Sequence, residues 1–153
     1  MIAPRRARLA LLLVALLVRT APADDPPSDD LKRLEGTWDV VAAEEGGREF
    51  DTTMLVDQAL AFSPDGAYRV LIRDEAVESG TFRLDSAIVP AGIDLKIQRG
   101  EDAGKTQLGI YRFDGNRLIV SFHKPGVESR PKTFKTAPDS AQFTFRLERR
   151  PRK

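Results

Sequence analysis

The chain has 153 residues, 24 of them basic and 23 acidic, with one histidine, no cysteine and a net charge of +1 at pH 7. That length holds one domain of ordinary size, and the missing cysteines exclude a disulfide framework and a Cys/His zinc centre. The first 23 residues carry four arginines and no acid, so the remainder has 20 basic against 23 acidic residues, a net of −3, and lacks the excess positive charge that phosphate-driven nucleic-acid binding draws on.

The amino terminus, "MIAPRRARLALLLVALLVRTAPADD", places Arg5, Arg6 and Arg8 before an apolar run at 9–18, followed by Ala21-Pro22-Ala23. This is the order of a secretory signal peptide. The run is ten residues long, whereas a membrane-spanning helix needs roughly 20. The expectation is therefore a signal peptide at 1–23, export to the periplasm or the cell exterior, and no stable membrane insertion after cleavage. Without a cysteine there is no residue for a lipid anchor. "DDPPSDD" at 24–30 is acidic, has two prolines and lacks apolar residues, which reads as a disordered linker. Ser28 is placed to cap a short helical turn through "DDLKRLE", with Leu31 and Leu34 on one face.

Beyond Gly36 the helical period gives way to short alternating runs separated by turn residues. Their inward candidates are Trp38, Val40 and Ala42; Leu60 and Phe62; Tyr68, Val70 and Ile72; Phe82 and Leu84; and Ile93, Leu95 and Ile97. Next come either Leu108 and Ile110 or Tyr111 and Phe113, then Leu118, Val120 and Phe122, and finally Phe143, Phe145 and Leu147. "DGN" at 114–116 is a hairpin signal. A further short strand fits residues 133–135. Short turns between successive strands imply an antiparallel meander, and closing it removes both exposed edges. The fold expected is an all-β, antiparallel up-and-down barrel of eight to nine strands over 31–150, with a short N-terminal helix. A two-sheet sandwich is the competitor, but it usually needs longer connections. The end, "RLERRPRK" at 146–153, reads as a frayed, solvated basic stretch whose last residues, 151–153, are a tail beyond the domain, with contact to an anionic surface or polymer as the other reading.

Gly36-Thr37-Trp38 after a helical turn resembles the Gly-x-Trp start of the first strand in lipocalins and fatty-acid-binding proteins. In those families the tryptophan packs at the closed barrel end beneath a basic residue of the last strand. The resemblance gives Gly36, Trp38 and Arg146 barrel-closing roles, with Arg149 as second choice to Arg146. A larger resemblance covers most of the chain: "LEGTWDVVAAEEGGREF", "LAFSPDGAYRV", "ESGTFRLD", "KPGVESRPKTF" and above all "GKTQLGIYRFDGNRLIVSF" are similar to an uncharacterised lipocalin-like domain family of secreted planctomycete proteins. That family has no assigned activity, so the resemblance implies no catalytic residue. It often carries a cysteine where this chain has Ser121.

Specific chemistries fare poorly. Ser121 and His123 share a strand face, but a nucleophile–base pair also needs an orienting group and an oxyanion site, and a pair on an outer face supplies neither. The oxygen-rich stretches "DDPPSDD" and "GEDAG" lack the ligand spacing of a calcium loop. Glu44-Glu45 and Asp74-Glu75 point to opposite faces of a strand and cannot converge as an acid–base dyad. "RGEDAGKT" has Arg99 where a phosphate loop needs glycine. What remains is a barrel interior that is either filled or holds a modest pocket, with Tyr68, Tyr111 and Phe122 as lining candidates. The function expected is an exported, non-enzymatic binding module for a small apolar molecule, without a cofactor. The alternative is a packed module of the cell envelope that meets a protein partner through loops such as 124–132. Cavity volume separates them, since ligand pockets run from about 300 Å³ upward.

Overall fold

The computed structural model describes residues 29–153. The leader, the linker at 24–28 and the Ser28 cap lie outside the described residues. Helix α1 (Asp29–Leu34) leads into β1 (Gly36–Glu45), whose end folds back as a two-residue strand, β2 (Arg48–Glu49). A 3-10 turn at Thr52–Leu55 precedes β3 (Gln58–Phe62), β4 (Ala67–Ile72), β5 (Glu75–Asp85), β6 (Gly92–Arg99), β7 (Thr106–Asp114), β8 (Arg117–His123) and β9 (Gln142–Arg149).

From β3 onward every strand pairs antiparallel with the next, and β3 pairs with β1. Pairing of β1 with β9, from Trp38 opposite Arg149 to Glu45 opposite Phe143, closes the sheet. The result is a closed, antiparallel, eight-stranded lipocalin-like barrel with β2 as an extra strand on β1. Closure is what the meander required: an open sheet of this length would leave two rows of unpaired backbone groups. The sandwich reading is not realised.

The interior is one apolar cluster whose character changes along the barrel axis. At the end where β1 begins, Leu34, Trp38, Phe62, Phe82, Tyr111 and Leu118 fill the bore. Phe62 meets Phe82 edge-on at 5.1 Å, and Tyr111 meets Phe113 edge-on at 5.9 Å. Helix α1 lies across this end, and Trp38 Nε1 donates to the Leu34 carbonyl at 2.8 Å, so the indole N–H buried by the helix is also satisfied by it. Each large side chain buried here contributes about 1.5–3 kcal/mol.

Strict alternation fails in several places, each with a cause. A bulge between Val40 and Ala42 flips the later part of β1, so Ala43 is buried and the expected inward Ala42 is not. Ile72 ends β4 at the rim and is exposed. In β7 the choice falls on Tyr111 and Phe113, yet Ile110 is fully buried too. It faces outward, beneath residues 124–141, which drape over β6 to β9. That strap contains no strand at 133–135. Instead, its Phe134 carbonyl accepts from Thr144 at 2.7 Å, its Thr133 carbonyl accepts from Gln142 at 2.7 Å, and Thr136 donates to Glu44. Arg130 clamps it by donating to Asp94 and to the Gly109 carbonyl, both at 2.6 Å. Both ends of the domain are also tighter than expected. Asp29 and Asp30, read both as the end of the linker and as the start of the helical turn, belong to the helix, and Arg150 donates to Asp39 and Asp74 instead of fraying.

Candidate functional site

The end opposite α1 is hollow. A cavity of about 250 Å³ opens there, walled by Val40, Leu60, Val70, Leu95, Phe122 and Phe145. These side chains point inward from β1, β3, β4, β6, β8 and β9, so the barrel's own pleat builds the wall. Gly109 makes it close: a Cβ there would stand 2.3 Å from the Phe122 ring, so the ring rests directly on the β7 backbone.

Three polar side chains also line the cavity: Gln58, Gln107 and Glu78. The glutamines sit at strand ends, where their amide nitrogens donate to the carbonyls of Met54 at 3.3 Å and His123 at 2.9 Å. Glu78 lies deeper, half-buried on the inner face of β5 opposite Val70. The Tyr68 hydroxyl donates to one of its carboxylate oxygens at 2.9 Å. Burial raises the carboxyl's pKa above the ordinary value, with a smaller push from the negative charge of Asp102, while the Tyr68 bond pulls it down. Burial and the adjacent Glu78 also push the Tyr68 hydroxyl upward, so it stays a donor across the physiological range. The arrangement is an oily recess with one oriented carboxyl group and no arginine or lysine among its lining residues. Lys124 lies over the ring of Phe143, a lining residue, at 5.8 Å.

Of the three lining candidates read from sequence, Phe122 lines the cavity. Tyr68 is buried just beneath it and reaches it through Glu78. Tyr111 belongs to the other end, where its hydroxyl donates to Asp30 at 2.8 Å. Glu78 was missed, although a signal existed: in "ESGTFRLD" it falls in step with Phe82 and Leu84, a charge on an apolar face. Gln58 and Gln107 also fall in step with inward residues, Leu60 and Tyr111, but as neutral amides at strand ends they gave a weaker signal.

Gly36 and Trp38 take the barrel-closing positions, but Arg146 does not stand over the indole. It reaches out to Glu49 on the surface. Arg149, the second choice, stacks on Trp38 at 4.3 Å and donates to the Glu35 carbonyl at 2.5 Å. The reason is register: Arg149 is the residue opposite Trp38 in the β1–β9 pairing. Gly36 is needed beneath it, with φ of +121° and a hypothetical Cβ 2.9 Å from the guanidinium.

Ser121 does lie on an outer face, yet the strap buries it completely. Its hydroxyl is engaged by Thr144 at 2.7 Å, Gln142 at 2.8 Å and the Phe143 carbonyl at 3.1 Å. His123 turns to Ser129 instead, so the two residues do not form a nucleophile–base pair. Among the described residues no helix is long and apolar enough to cross a membrane. No protein-family model, curated protein or solved structure matches this chain.

Proposed function

We propose that this barrel is an exported, non-enzymatic binding module for a small, compact apolar molecule that ends in a hydrogen-bond donor such as an amine or hydroxyl. One observation carries the reading: a mainly apolar cavity, whose two glutamine amides donate to backbone carbonyls, presents a single carboxyl group, Glu78, held in place by Tyr68. A buried carboxyl at a ligand's side selects groups that can donate to it and disfavours other anions. A fatty-acid carboxylate would meet Glu78 with no cation to offset it. Volume argues in the same direction. An apolar cavity of about 150 Å³ holds benzene, so 250 Å³ suits one substituted ring or a branched chain of like bulk rather than a long acyl chain. Export rests on the leader, and membership of the planctomycete family rests on the block at 104–122; both are parts of the same proposal.

A second reading, a packed interaction module of the cell envelope, draws on the same volume, which falls below the usual range for ligand pockets of about 300 Å³ upward. It gains nothing from the strap, whose Arg130, Thr133, Phe134 and Thr136 are used to hold the barrel itself.

Three probes with one body separate the readings: benzylamine, benzyl alcohol and benzoate, titrated into isotopically labelled protein and followed by amide and methyl NMR. The expected result is saturable shifts at Val70, Phe122 and Phe145 with the first two and none with benzoate. Filling the cavity by Val70→Trp should abolish them. If no probe shifts those residues, the binding reading falls and the packed module stands.

A further inference from the structure

The closed end of the barrel carries a second concavity, remote from the cavity and independent of its proposed use. Five arginines line this cleft of about 800 Å³, namely Arg33, Arg117, Arg149, Arg150 and Arg152, beside the aromatic faces of Trp38 and Phe113 and the acids Asp114 and Glu148. Two of the arginines are neutralised within the fold. Arg117 pairs with Glu148 at 3.0 Å, and Arg150 pairs with Asp39 and Asp74.

Arg149 and Arg152 have no carboxylate partner among the described residues, and Arg33 has only a distant one. Arg149 is held by the backbone carbonyls of Arg33 and Glu35 and by the Trp38 ring, which orient the guanidinium without cancelling its charge. Arg33 lies over the Phe113 ring at 4.0 Å and makes only a long ion pair with Asp30, at 3.8 Å, through the carboxylate oxygen that Tyr111 does not use. Arg152 is exposed and makes no ion pair among the described residues. Burial lowers the Arg149 pKa, the charge of Arg152 lowers it further, and Glu35 acts against both. Like charges gathered this way repel one another, and an anion seated between them would offset that repulsion. Flat guanidiniums laid on aromatic rings keep their outer edges free to fork onto oxyanions.

We propose that the cleft bounded by Arg33, Arg149 and Arg152 is an anion-binding site for phosphate groups, presented either by a soluble polyphosphate anion or by an anionic lipid headgroup. Trp38 is the chain's only tryptophan and forms the floor of the site, so its fluorescence reports occupancy directly.

The test titrates tripolyphosphate at low ionic strength into the full chain and into the Arg33→Gln/Arg152→Gln double variant. A control, Arg48→Gln/Arg99→Gln, removes two exposed positive charges from strand ends that do not line the cleft. Arg149 is left intact because it also supports the indole. Saturable quenching is expected in the wild type and the control, weakened by at least about tenfold in the double variant. Should the double variant melt early, Arg152→Gln alone, which removes no contact of the fold, carries the test with a smaller expected loss. Phosphatidylglycerol vesicles that sediment the wild type but not the double variant would place the phosphate on a lipid. Tripolyphosphate binding without vesicle binding would place it on a soluble anion. No binding of either probe, or binding weakened equally by the control, means an adventitious ion only and overturns the proposal.

Discussion

The two halves of the barrel interior are built by the same strands and the same alternation, yet one is solid and the other hollow. Toward α1 the inward positions hold Trp38, Phe62, Phe82, Tyr111 and Phe113, and a helix covers the opening. Toward the opposite end they hold Val40, Leu60, Val70 and Leu95 beside Phe122 and Phe145, with Glu78 among them. The difference teaches that the bore is filled where helix α1 adds its own side chains and bonds to the strands' aromatic rows, and is left open where strand residues alone must fill it. A half packed to native density stabilises the domain, which frees the other half to keep a recess and a half-buried carboxyl that stability alone would not select.

That contrast can be broken at its strongest point by Trp38→Ala. The substitution removes the largest buried side chain, its bond to Leu34 and the platform under Arg149. A loss of about 3–5 kcal/mol is expected in urea unfolding; a loss below about 1 kcal/mol would mean the solid half is not the stabilising one. A matched pair sharpens the contrast further. Leu118→Ala opens a void in the solid half and should cost about 3 kcal/mol, whereas Val70→Ala only enlarges an existing recess and should cost about 1. Equal costs would show that the hollow half is packed in solution.

The smallest effect concerns Glu78. Its folded pKa is raised, so its contribution to stability is fully present below the unfolded value of about 4.5 and is lost as pH rises through the folded value. Glu78→Gln keeps an acceptor for Tyr68 and removes the charge. At neutral pH it should stabilise the domain by no more than about 1 kcal/mol once solvent screening is allowed for, and the gain should vanish in acid. A gain that persists unchanged in acid, followed by thermal melts across pH, would locate its origin elsewhere than in the charge.

Much of the fold was legible because burial on one side writes itself into a period of two. Trp38, Leu60, Phe62, Tyr68, Phe82, Leu95, Leu118, Phe122 and Leu147 all face inward as that period requires. Where the reading slipped, a non-local cause intervened. The bulge in β1 exchanged Ala42 for Ala43, and the register of β9 chose Arg149 over Arg146. The strap buried Ile110 and Ser121 on a face that period two assigns to water. The site was half legible. Phe122 was found and Glu78 was visible as a charge out of place, but Tyr111 was drawn into the list by residue type rather than by its height along the bore.

By itself the sequence determined the class of fold, the order of the strands and the identity of most core residues, because each depends on local alternation and on short turns that leave few choices. Only the tertiary structure decided which arginine meets the indole, which face the strap covers, where the bore is left empty and which cations gather at the closed end. Those depend on registers and heights set between strands far apart in the chain, and no local pattern of residues encodes them.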